Sequence, residues 1–116
     1  MWEVEYTDDF GTWWDTLNEA EHEAVAFSVN LLRQAGPSLG FPHTSGVYDS
    51  KHGSMRDLRS QCAGRLLRTF FAFDPRRVAI LLIGGDKTGN DRFYDEFVPL
   101  ADKIYDQYLK ETGTKK

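Results

Sequence analysis

The 116-residue chain has a single cysteine, Cys62, which excludes an internal disulfide and every multi-cysteine metal site. It lacks any long hydrophobic run: the longest, Val78 to Ile83, falls far short of the ~20 residues that span a bilayer. No basic segment opens the chain. Glu3, Glu5, Asp8 and Asp9 stand where a signal peptide carries positive charge, so the expected compartment is the cytoplasm, with no membrane partner. Positive charge is scarce overall, with 14 Lys and Arg against 18 Asp and Glu, a net −4 that on average disfavours a polyanion. Low-complexity and disorder-promoting stretches are also missing. The length suits one domain with one modest core, expected over residues 1–111 with 112–116 as a frayed tail.

The charge that is present is unevenly placed. Between Lys51 and Arg92 stand nine Lys and Arg against four Asp, a local balance of +5 inside a chain of net −4. A basic centre in an acidic frame suits a local polyanion site, although a solvated strand face gives the same pattern.

Hydrophobic spacing orders the elements. Trp2, Val4 and Tyr6 alternate with Glu3 and Glu5, a half-buried strand. Thr7 reads as an N-cap with Asp8 and Asp9 in the first turn, ahead of a helical stripe of Phe10, Trp13, Trp14 and Leu17. Asn18 with Glu21 predicts a capping box, and Val25, Phe27, Val29, Leu31, Leu32 and Ala35 form a broad apolar surface on a second helix that Gly36-Pro37 ends. Residues Pro37 to Ser54 read as one long loop, a length that is more often functional than accidental. Strands follow at Met55–Ser60, with Met55, Asp57 and Arg59 sharing a face, at Arg65–Phe73 after a turn at Gly64, and at Val78–Ile83. Asp74-Pro75-Arg76-Arg77 suits a type I turn, and Gly84 to Asn90 a flexible connection. A last helix carries Phe93, Phe97, Ala101, Ile104, Tyr105, Tyr108 and Leu109, with Pro99 expected to kink or restart it. The expected fold is α+β: β-α-α-β-β-β-α, a small, mainly antiparallel sheet with the N-terminal helices on one face, the other face partly open, and a C-terminal helix.

Three segments carry a family resemblance. Met55-Arg56-Asp57-Leu58-Arg59 is similar to a basic-acidic-Leu-Arg strand, Gly64 to Phe73 to a "G-x-x-x-R-x-x-Y/F" strand, and Ala79 to Thr88 to an apolar strand ending in "K-K-T". Together with the opening strand and first helix they resemble the RelE/ParE toxin superfamily, in its HigB-like, phage-derived branch. Asp86 stands where that pattern has the first lysine of its pair.

The resemblance implies the toxin of a type II toxin–antitoxin system. Its expected activity is that of a metal- and cofactor-free endoribonuclease acting on mRNA, usually in a translating ribosome. A helix-turn-helix antitoxin is the implied partner. Within the same fold, a ParE-like gyrase inhibitor and a non-toxic phage-derived interaction protein are the alternatives. Cleavage by the RNA 2′-OH needs proton transfer at two oxygens and cations on the phosphorane. On this reading Arg68 is the transition-state clamp and Arg59 binds the same or an adjacent phosphate. Lys87 stabilises charge or protonates the leaving group, His52 transfers a proton, and Tyr94 stacks on a base or assists proton transfer. Lys51, Arg56, Arg65 and Arg92 are the expected RNA-binding cations, Arg65 on the opposite face from Arg68. Trp13 and Trp14 read as core, and Asp86 with Asp91 as no metal site.

Overall fold

Local chemistry settles the N-terminal half. In the computed structural model, which describes residues 1–74 and 76–113, β1 (Glu3–Tyr6) leads directly into α1 (Asp8–Trp14). The Thr7 hydroxyl caps α1 by accepting the Phe10 N–H at 3.1 Å. Asn18 and Glu21 form the reciprocal capping box of α2 (Glu19–Ala35), with bonds of 2.8 and 2.9 Å. Gly36 ends α2 at φ 58°, and a single 3₁₀ turn, Gly36–Ser38, follows.

The sheet has five strands in the order β1-β5-β4-β3-β2, where β2 is Thr44–Gly46, β3 Arg56–Cys62, β4 Arg65–Asp74 and β5 Val78–Asp86. It is mixed. β1 pairs parallel to β5 at one edge, and the other three pairings are antiparallel. The α+β expectation holds in this coarser form, and β2 is a strand the long-loop reading missed. Thr44, Ser45 and Gly46 have no apolar alternation; the ladder to Leu58, Asp57 and Arg56 makes them a strand.

Each face of the sheet is covered. Phe10, Val25 and Leu32 of α1 and α2 pack with Leu58, Leu67, Phe71, Ala79 and Leu81. On the other side, Phe93, Val98, Ala101, Tyr105 and Tyr108 of α3 (Phe93–Thr112) pack with Phe70, Ala72, Ile80 and Leu82. The second face is therefore not the partly open surface expected, because α3 has an apolar stripe of its own to bury. α3 runs as one assigned helix through Pro99 to Thr112, with Gly113 as a left-handed cap. The final residues of the expected tail, 114–116, lie outside the described residues, as does Pro75 of the expected turn; there the Arg77 N–H bonds the Asp74 carbonyl at 3.0 Å.

Gly84 and Gly85 are strand residues and not part of a flexible connection. A Cβ on Gly84 would strike Trp13, and one on Gly85 would lie 2.7 Å from Phe97 and 2.9 Å from Phe93. Glycine here lets aromatic rings from both helix layers lie directly on the sheet. The apolar readings have exceptions: Phe27 and Tyr6 are mostly exposed.

Candidate functional site

The two-residue turn between β3 and β4 decides which side chains meet. Ala63 and Gly64 have φ of 50° and 82°, the positive values a type I′ connection requires. The turn sets Cys62 opposite Arg65, and the same ladder then sets Arg59 opposite Arg68 and Asp57 opposite Phe70. Residues directly opposite share a face, here the one beneath α3, since Phe70 packs with Phe93. The register thus brings two guanidinium groups to neighbouring positions on a covered face.

That placement is electrostatically unfavourable by itself. Like charges directly opposite in a sheet repel. Arg68 is only 7% exposed. The Nε atoms of both Arg59 and Arg68 are buried with no hydrogen-bond partner among the described residues. The Arg68 Nη1 donates to the Leu67 carbonyl at 3.1 Å, and the Arg59 guanidinium lies 5.3 Å over the Phe41 ring.

Asp57 compensates in part. It is 1% exposed, and both arginines act on it electrostatically. Tyr94, from the first turn of α3, donates its hydroxyl to Asp57 Oδ2 at 2.6 Å, while Oδ1 has no partner. Burial pushes the Asp57 carboxyl above its ordinary range, and the Tyr94 hydrogen bond and then Arg59 and Arg68 oppose that shift. Burial, with the bond to Asp57, also raises the Tyr94 phenol, and Arg68 opposes it. Tyr94 therefore stays protonated at neutral pH and serves as a donor. With Asp57 ionised, one carboxylate against two guanidiniums leaves a net positive charge, suited to an oxyanion gripped by planar N–H forks.

A groove of about 510 Å³ opens beside this cluster, with Arg59, Asp57 and Tyr94 in its wall and Val98 and Pro99 of α3 along one side. Arg59 and Tyr94 of the expected set thus meet in its wall, while Arg68, the register partner of Arg59, is buried and does not line it. Lys87 sits just past β5, its N–H bonded to the Leu66 carbonyl at 2.8 Å. That is two residues beyond Gly85, the register partner of Arg68, and among the described residues no hydrogen bond or ion pair ties its side chain to the cluster.

The remaining expected residues lie elsewhere. His52 bonds Asp106 Oδ1 at 2.8 Å and packs edge-on to Tyr105. Asp106 and Tyr94 are twelve positions apart on α3, about 18 Å along its axis. Lys51 pairs with the same Asp106 at 2.8 Å. Arg56 donates to the Leu39 carbonyl and the Thr44 hydroxyl at 2.8 and 2.7 Å, fastening the loop to β3. Arg65, on the α2 side as alternation predicts, bridges the buried Glu21 and Asp86. Arg92 is exposed at the N-cap of α3. Lys51, Arg56 and Arg65 thus each have partners within the protein.

Asp57 is the member of this cluster that sequence reasoning missed. Its signal was available, because alternation already placed it on the face of Arg59, but only the register shows that two arginines need a countercharge. Among the described residues, no group of three or more His, Cys, Asp or Glu is arranged to hold a metal ion, and no helix is long and apolar enough to cross a membrane.

The fold and the cleft define a small α+β protein with two cross-strand arginines covered by a C-terminal helix. Residues 12–106 match the model of the phage-derived Gp49-like proteins (DUF891), and the chain belongs to that family. Over 98 residues it is 44% identical to "Putative toxin HigB3" of Mycobacterium tuberculosis, covering 84% of each chain. It is also 37% identical over 101 residues to "Putative toxin HigB2" of the same organism, across 85% of this chain and half of that protein's length. No solved structure gives a significant match.

Proposed function

We propose that this protein is the toxin of a type II toxin–antitoxin system, a RelE-superfamily endoribonuclease of the HigB kind that cuts mRNA through the RNA's own 2′-OH. The observation carrying this reading is the cross-strand pair of Arg68, buried, and Arg59, half-buried, whose buried Nε donors have no partner among the described residues. The names of the similar proteins supply the toxin context.

On this reading a scissile phosphate displaces the strain of the paired guanidiniums by accepting from both. Charge developing on its non-bridging oxygens strengthens those bonds in the transition state. The 2′-hydroxyl gives up its proton to water as its oxygen attacks phosphorus, and the bond to the 5′-oxygen breaks, leaving a 2′,3′-cyclic phosphate and a 5′-hydroxyl. Tyr94, protonated and held by Asp57, stands beside the arginines as the donor to the leaving oxygen. Lys87 supplies a further cation if its side chain swings toward the phosphate. A helix-turn-helix antitoxin silences the toxin, and the substrate is mRNA in the cytoplasm, on the ribosome.

Induction in a bacterial host tests the reading. Growth should stop, and primer extension should show new mRNA ends carrying 5′-hydroxyls. Arg68→Ala should abolish the cuts while circular dichroism stays unchanged. A 2′-deoxy substitution 5′ of the scissile phosphate should block cutting. Growth arrest with intact mRNA would overturn the nuclease reading, and gyrase-linked DNA breaks alongside it would point to a ParE-like inhibitor.

A further inference from the structure

The segment between the 3₁₀ turn and β3 holds the two most exposed large aromatic side chains of the chain, Phe41 at 78% and Tyr48 at 91%. Neither packs in either core cluster. An exposed aromatic face beside a cation is a surface on which a planar π system can stack. Both belong to the surroundings of Arg59: Phe41 lies under its guanidinium, 5.3 Å from ring centre to Cζ, and Tyr48 lines the groove that Arg59 and Tyr94 wall.

We infer that Phe41 and Tyr48 form a stacking platform for unpaired bases, so that the site takes single-stranded RNA with its phosphate at Arg59 and Arg68 and the adjoining bases on the two rings. This inference rests on the nuclease reading for the identity of the strand. An alternation of cation and aromatic surface matches a single strand, whose backbone needs positive charge and whose released bases offer π faces. In a duplex those faces are buried in the helical stack, so a paired strand cannot use the platform. Charge fixes the direction of occupancy. Asp49, next to Tyr48 in the chain, lines the same groove and disfavours phosphate beside that ring, leaving Arg59 for the backbone and Tyr48 for a base. The groove's volume, about 510 Å³, lies within the ~300–1,000 Å³ typical of small-ligand sites, room for one base with its sugar. Stacking tolerates any base, so the platform selects for strandedness more than for sequence.

Fluorescence anisotropy of the purified full chain with a labelled octanucleotide, 2′-O-methylated so that it cannot be cut, tests this directly. The wild type should bind the single strand at least tenfold more tightly than the same octamer in a duplex. Phe41→Ala and Tyr48→Ala should each weaken single-strand binding by roughly tenfold, while Phe41→Tyr and Tyr48→Phe keep it. Both positions are exposed, so thermal melts should match the wild type. Equal binding of single strand and duplex, no binding of the single strand, or binding indifferent to both alanine variants overturns the inference. Cutting assayed in parallel separates the two readings. If mRNA is cut but the alanine variants change neither binding nor cutting, the platform is wrong and the nuclease stands. If nothing is cut but binding depends on both rings, the platform stands and the nuclease falls.

Discussion

Replacing Arg68 with methionine should make the protein more stable and inactive at once. The stem of the arginine is buried among apolar neighbours on β4, and methionine reproduces it. The charge terms nearly cancel. At separations on the order of 5 Å and an effective dielectric of about 20, repulsion from Arg59 and attraction to Asp57 are each roughly 3 kcal/mol with opposite signs. What remains is a buried guanidinium with an unpartnered Nε, a penalty of about 1–3 kcal/mol that methionine removes. Arg68→Met should therefore gain about 1–2 kcal/mol, visible as a higher urea midpoint with an unchanged slope and a melting temperature raised by ~4–8 °C. Inorganic phosphate supplies the complementary measurement. If it occupies the cleft with a dissociation constant of ~1 mM, 10 mM phosphate stabilises the wild type by about 1.4 kcal/mol and leaves the variant unmoved. A variant less stable than wild type by 1 kcal/mol or more, stabilised by phosphate to the same extent, would show Arg68 to be a structural residue and refute the reasoning.

Other outcomes follow from the same geometry. Arg76 and Tyr108 hold the Asp74 carboxyl down at about 2, below its ordinary value of 3.8, so the folded state binds its proton less readily than the unfolded chain. The stability this gives is complete above about pH 4 and disappears as pH falls through 2, a loss of roughly 1–2 kcal/mol that Asp74→Asn should remove from the acid limb of a denaturation series. Gly85→Ala drives a Cβ to 2.7 Å from Phe97, and overpacking of this kind should cost about 1–3 kcal/mol in urea titrations. Arg65→Ala strips the buried Glu21 of its cation, so melting should fall while the pattern of mRNA cuts persists; lost cutting at full stability would return Arg65 to the RNA interface. Asn18→Ala removes the α2 capping box and should lower stability by about 1 kcal/mol, with helix content by circular dichroism as the check.

Much of the geometry of the candidate site was legible before the fold was known. Alternation put Asp57 with Arg59 and separated Arg65 from Arg68, and both hold because side-chain period in a strand is a local property. The pairing of Arg59 with Arg68 was within reach too: a two-residue turn at Ala63–Gly64 fixes every later pair of the hairpin, Arg59 with Arg68 among them. The placing of His52 and Lys51 was not legible, because a loop side chain declares its chemistry and not its neighbour, and Asp106, which holds both, comes from a helix more than 50 residues away.

What the amino-acid order determined by itself is what neighbours along the chain can enforce: the caps at Thr7 and Asn18, the stop at Gly36, the strand periods and the face each arginine takes. Tertiary structure decided the rest. It joined β1 parallel to β5 at the far edge, recruited Thr44–Gly46 as a strand, laid α3 over the second face and left Phe41 and Tyr48 uncovered. Those outcomes depend on which surfaces lose water together, and that is a property of elements distant in sequence meeting in space.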